Sequence, residues 1–213
     1  MNLDNALRGM RNPKESWDRI DSYWKETEDG TQFYIIGKND MDLAQRLIRA
    51  GSEHRKFMRQ IFVSVDITAP IYWWKEFDTY KVGTTANSTS TMHKLATTPI
   101  SLECFEIDDL NYNLFPSENQ ITYFIQLLEE LRWKYLETKD KRYWKELIRW
   151  LPESWLQTRT VTMTYENLFS ICHQRKDHKL NEWSGKDDPT KENFIAWVKT
   201  LPYADDLIFL DIS

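Results

Sequence analysis

The chain has 213 residues, ten each of Trp, Tyr and Phe, and 29% charged side chains, which suits one generous domain with ample aromatic bulk for a core. A net charge of -5 argues against a duplex nucleic-acid binder, and no run approaches the roughly 18 apolar residues that span a bilayer. The opening MNLDNALRGMRNPKESW lacks the apolar core of a secretory signal, and two cysteines, Cys104 and Cys172, make no disulfide framework; a water-soluble chain with free thiols in the cytoplasm is expected.

In chain order, residues 31–37 (TQFYIIG) read as a short strand ended by Gly37. Residues 39–51 read as a helix with Leu43, Leu47 and Ile48 on one face and Gly51 placed to cap it. Residues 56–68 (KFMRQIFVSVDIT) alternate, Phe57, Ile61, Val63, Val65 and Ile67 to one side, Gln60, Ser64 and Asp66 to the other. That period of two predicts a strand. Pro70 permits a helix start, and residues 70–81 would then carry Ile71, Trp74 and Phe77 inward. The adjacent Tyr72, Trp73 and Trp74 are expected in the core, with a stacking wall for a planar base or an oligomer contact as the functional alternative.

Residues 82–91, VGTTANSTST, are small and mostly hydroxylic, yet too short and too poor in Gly, Pro and charge for an ordinary linker. They read either as a plain loop or edge strand with a polar face, or as a loop lining a ligand pocket. Residues 118–138 predict the strongest helix, with Ile121, Phe124, Ile125, Leu128 and Leu131 at helical spacing behind a capping box from Ser117 to Gln120. Three more helices are expected: residues 141–152, closed by Pro152; residues 164–175, burying Tyr165, Leu168, Phe169 and Cys172; and residues 190–202, docking Phe194, Trp197 and Val198. Few strands and many helices, in runs, give the α+β class.

Most site chemistry is excluded by spacing. The four His and two Cys form no metal pattern, since adjacent Cys172 and His173 cannot face one ion from a helix. No Gly-rich phosphate loop is present, and no motif supports a Ser-His-Asp reading of Ser90 and His93.

Three separated blocks carry a resemblance. His54 leads into the alternating segment and Ala69-Pro70-Ile71; Tyr80-Lys81-Val82 are followed by seven residues and Ser90; Leu151-Pro152 are followed by nine residues, Thr162 and a helix ending at Gln174-Arg175. In order and spacing, from about residue 50 to about residue 183, this resembles the flavin-dependent thymidylate synthases, the ThyX family. The resemblance implies an antiparallel sheet with a helical layer. It further implies a single domain over residues 1–213, with an N-terminal extension of about 1–30 and a helical C-terminal tail of about 184–213.

It also implies a homotetramer with sites shared between subunits, FAD as cofactor, and conversion of dUMP to dTMP. His54 would lie near the cofactor; Asn87 and Ser90 fall on the Asn and Ser of the family's pocket loop; Arg175 falls on the helix-end Arg that contacts the pyrimidine nucleotide. Lys81 is the one cation left where the family has Arg-His-Arg. Further departures are Met92 for an Arg, Thr164-Tyr165-Glu166 for Asn-x-Arg, and Arg59-Gln60 for Glu-His, with Arg149 one step out of register for another Arg. Lysine does not replace the bidentate guanidinium fork at a phosphate. The expectation is therefore a ThyX-like protein that binds or sequesters a nucleotide-like ligand with the standard chemistry lost or altered. A divergent thymidylate synthase and a non-catalytic scaffold oligomer are the alternatives.

Overall fold

The computed structural model describes residues 2–108, 110 and 119–212, the last stretch beginning with the backbone alone at Asn119. The expected capping box at Ser117 lies outside these residues. In chain order the elements are α1 (Leu3–Arg11), β1 (Tyr23–Glu26), β2 (Gln32–Ile35), α2 (Lys38–Arg49), β3 (Phe62–Pro70), α3 (Ile71–Phe77) and β4 (Thr85–Ser88). There follow α4 (Thr91–Lys94), α5 (Asn119–Thr138), α6 (Lys141–Arg149), β5 (Leu156–Thr164), α7 (Tyr165–Arg175), α8 (Asn181–Ser184), α9 (Phe194–Lys199) and α10 (Ala204–Leu207). Strands β1 and β2 pair antiparallel, Trp24 opposite Tyr34, while a second sheet has the order β3-β5-β4.

Two compact units form from discontinuous pieces of chain. The first comprises residues 1–64, 80–85 and 162–213, the second residues 65–79 and 86–161.

In the first unit the backbone turns where side chains demand it. Gly51 has φ +105°, as expected of a residue just past a helix. The alternation read from residue 56 begins only at Phe62; residues 56–60 form a 3-10 turn. Phe57 and Met58, neighbours in sequence, are both buried, which a pleated strand cannot do on one face. Asp21 caps α2, its carboxylate accepting from the N–H groups of Asn39 (2.8 Å) and Asp40 (3.0 Å). Although partial desolvation opposes it, these bonds hold the Asp21 carboxyl below its ordinary value. Gly37 passes so close to Asp21 that a Cβ there would overlap it.

The buried pair Arg11–Asp40 joins α1 to α2: Arg11 Nε donates to Asp40 Oδ1 at 2.6 Å, with the side chains only 4% and 1% exposed. Asp40 Oδ2 accepts from the backbone N–H of Asp21 and Ser22 and from the Ser22 hydroxyl, so its lone pairs are satisfied. Helix α7 opens one turn-residue pair later than the spacing implied. Thr162 lies inside β5, and Thr164 caps α7 in a reciprocal box with Asn167. The expected stripe of Tyr165, Leu168, Phe169 and Cys172 is buried, and Tyr165, its phenol pushed up by burial, donates to the Pro202 carbonyl at 2.7 Å.

In the second unit, Trp73 and Trp74 are core residues, packed edge to face at 4.9 Å and both against Phe77. Leu128 of α5 and Leu147 of α6 meet Leu95, Ile100 and Phe105 in one apolar cluster. Arg132, 4% exposed, grips Glu129 through two bonds of 2.7 and 2.8 Å, while Glu129 Oε1 also accepts from the Ile100 N–H at 2.5 Å. Strand β5, which its Thr-rich sequence hides, is central. Its polar side chains are satisfied across the sheet, Thr158 by Thr68 (2.7 Å) and Thr160 by Asp66 (2.5 Å). Strand β4 lies at one edge of the sheet, all four residues exposed. The hydroxylic stretch therefore contains an edge strand with a polar face.

Candidate functional site

Three of the candidate residues, His54, Lys81 and Arg175, belong to the first unit, and Asn87 and Ser90 to the second. His54 is exposed in the turn after Gly51, its N–H donating to the Gly51 carbonyl at 3.0 Å. It lines a cleft of about 1060 Å³ whose walls include Arg11, Lys14, Arg46, Lys56 and Phe57. This volume accommodates a nucleotide-sized molecule. The walls mix signs, because Glu53, Asp18 and Asp42 face the same space.

Arg175 closes α7, as its position in the sequence implied. Its Nε donates to the Tyr80 hydroxyl at 2.9 Å, and its guanidinium lies 5.6 Å from the Tyr80 ring and 5.1 Å from the Trp183 ring. Tyr80 in turn donates to Gln174 Oε1 at 3.0 Å. So the Tyr80 hydroxyl and ring together hold the Arg175 guanidinium. The next residues are fixed from α7 as well. Asn167 Nδ2 donates to the Val82 carbonyl at 2.7 Å, and Gly83, at φ +81°, lies against the Asn167 amide. The Lys81 side chain between them is exposed.

The two charge changes noted in the sequence meet. Glu166 accepts from Arg55 Nε at 3.1 Å and also from Arg59 Nε, whose Nη2 reaches the Ser52 carbonyl at 3.2 Å. Arg55 rests over the Phe169 ring at 4.3 Å. The Glu166 carboxylate is thus neutralised by two guanidinium groups. Sequence reading saw both substitutions but not their pairing, since 107 residues separate Arg59 from Glu166.

In the second unit Asn87 sits exposed on β4, and Ser90, half-buried, caps α4 by accepting from the His93 N–H at 3.2 Å. The Thr89 carbonyl before Ser90 accepts from Gln157 Nε2, and Arg159 donates to Gln157 in turn, two residues of β5 that the sequence reading passed over. A polar pair within a β-branched run was the signal available. Arg149 pairs with Glu146 on the exposed side of α6. Among the described residues no group of three His, Cys, Asp or Glu could hold a metal ion, and no helix is long and apolar enough to cross a membrane.

No protein-family model matches the sequence, and no curated protein does so. The fold is matched. A flavin-dependent thymidylate synthase, ThyX, from Helicobacter pylori, crystallised with FAD and dUMP, superposes with a TM-score of 0.62 at 17% identity, over 98% of this chain and 94% of the other. A second structure of Helicobacter pylori ThyX with FAD and dUMP gives 0.62 at 16% identity, over 98% and 93%. The chain therefore has the mixed helix-and-sheet fold of these enzymes.

Proposed function

We propose that this chain is a nucleotide-ligand-binding protein of the ThyX fold in which the standard synthase chemistry is lost or altered. The reading is carried by the nucleotide-sized cleft beside His54, with arginine and lysine side chains in its walls. Arg175 and Lys81, and separately Asn87 and Ser90, none of which lines that cleft, are further proposed contacts by their match to the family's positions. The Helicobacter pylori neighbours bind FAD and dUMP, which makes a flavin or a pyrimidine nucleotide the first ligands to try.

FAD does not fit the residues here in the manner the family's charges imply. Tyr80, Lys81 and Val82 replace a cationic triplet, and Glu166 is held by Arg55 and Arg59. Removing partners of a buried charge typically costs ~2–5 kcal/mol of binding each, so losses at several positions weigh against the usual pose.

The test is the purified protein itself. It is expected to be colourless and to melt at higher temperature in the presence of a nucleotide such as dUMP. A ligand at 100 times its Kd adds about 2.7 kcal/mol. His54→Ala and Arg175→Ala are expected to reduce that shift while leaving the fold intact. A yellow preparation releasing flavin on denaturation would identify a working synthase instead. Indifference to every nucleotide, in a stable oligomer, would leave a scaffold.

A further inference from the structure

Thr89, the residue that precedes Ser90, is held at both of its backbone hydrogen-bonding groups. Thr89 N–H donates to the Thr158 carbonyl at 2.9 Å, and the Thr89 carbonyl accepts from Gln157 Nε2, also at 2.9 Å. Gln157 is 9% exposed, an unusual setting for an uncharged amide unless both ends are used. Both are. Its Oε1 accepts from Arg159 Nε at 2.9 Å.

The orientation of that amide is not arbitrary. A guanidinium can only donate and a carbonyl can only accept, so Oε1 must face Arg159 and Nε2 must face Thr89. Arg159 is itself immobilised: Nη1 donates to Asp78 Oδ1 at 2.9 Å, and the guanidinium lies 4.2 Å from the Trp74 ring centre. The Trp74 indole N–H then returns to the Gln157 carbonyl at 2.8 Å. A closed relay, Asp78 to Arg159 to Gln157 to Thr89, thus ends on the link between Asn87 and Ser90. Nothing in α4, only four residues long, would fix that link alone.

We infer that Gln157 and Arg159 are positioning residues that lock the segment 87–90 in the conformation that presents Asn87 and Ser90 to ligand. This rests on the proposed nucleotide-binding role of Asn87 and Ser90, but the lock can be read without ligand.

Gln157→Glu separates the two ends of the amide, since the carboxylate still accepts from Arg159 but opposes the Thr89 carbonyl. Native-state hydrogen exchange by mass spectrometry should show residues 86–92 exchanging at least tenfold faster than in wild type, with α5 and α6 unchanged. The dUMP-induced melting shift should fall in parallel. Arg159→Lys, which keeps the charge at Asp78 and loses the fork, should give an intermediate effect on both, and serves where Gln157→Glu does not fold. Unchanged exchange in residues 86–92 would overturn the lock. Faster exchange with an undiminished dUMP shift would overturn its role in presentation. If wild type shows no shift with any nucleotide, the binding reading and the presentation role fall together, and exchange alone decides the lock.

Discussion

Arg175 Nε donates to the phenolic oxygen of Tyr80 at 2.9 Å, so the guanidinium at the end of α7 is oriented by a tyrosine 95 positions earlier in the chain. Two guanidinium groups at that separation would repel; a tyrosine turns the same place into an acceptor and an aromatic wall. Tyr80→Phe removes the acceptor and keeps the ring. The hydroxyl also donates to Gln174, so the expected cost is about 1–3 kcal/mol in urea unfolding, the net worth of two hydrogen bonds. The nucleotide-induced melting shift should shrink by more than that loss explains.

Gly37 meets Asp21 with no room for a side chain. Gly37→Ala must displace the carboxylate that caps α2, so it should cost about 1–3 kcal/mol by overpacking. Denaturant titration compared with Gly30→Ala separates crowding from backbone strain. Gly30, at φ +80°, has open space around its missing Cβ.

The grip of Arg132, with burial opposing it and the Ile100 N–H assisting, holds the Glu129 carboxyl below its ordinary value. A carboxyl so depressed contributes stability that is complete above its unfolded value, about 4.3, and lost as pH falls through its folded value. Wild type should therefore exceed Glu129→Gln in stability at pH 7, and the gap should close on acidification below about pH 4. Chemical unfolding of both proteins across that range reads the difference. A gap that is constant with pH would show that packing, not charge, carries the effect.

Burial pushes the Cys172 thiol up to about 12, whereas Cys104 is half-buried in the second unit. Thiolate is the reactive form, so Cys172 should resist a thiol reagent at pH 8. One thiol should be labelled in the native protein and both after denaturation, and Cys104→Ser should abolish native labelling.

Periodic segments were legible because their side chains declare a buried face. Helices α2, α5, α6 and α7 and the body of β3 fall where 3.6- and two-residue periods place them. The start of β3 was misplaced: Met58 and Arg59 break the alternation that resumes at Ile61, and Phe57 and Met58 both go inward in a 3-10 turn. Strand β5 was missed for the opposite reason. In LQTRTVTMT the Thr side chains alternate with Gln157, Arg159, Val161 and Met163, and the polar Gln157 and Arg159 on the inward side disguise the apolar face that a half-buried strand usually declares.

The sequence by itself determined the helical layer, the aromatic core around Trp73 and Trp74, and the order of blocks that pointed to the ThyX fold. Only the tertiary structure decided which charges meet. Arg59 and Glu166, Arg11 and Asp40, and Arg159 and Asp78 are pairs separated by 107, 29 and 81 residues. Local periodicity reports which face a residue shows, but an ion pair depends on where a distant segment arrives, and that is fixed by packing.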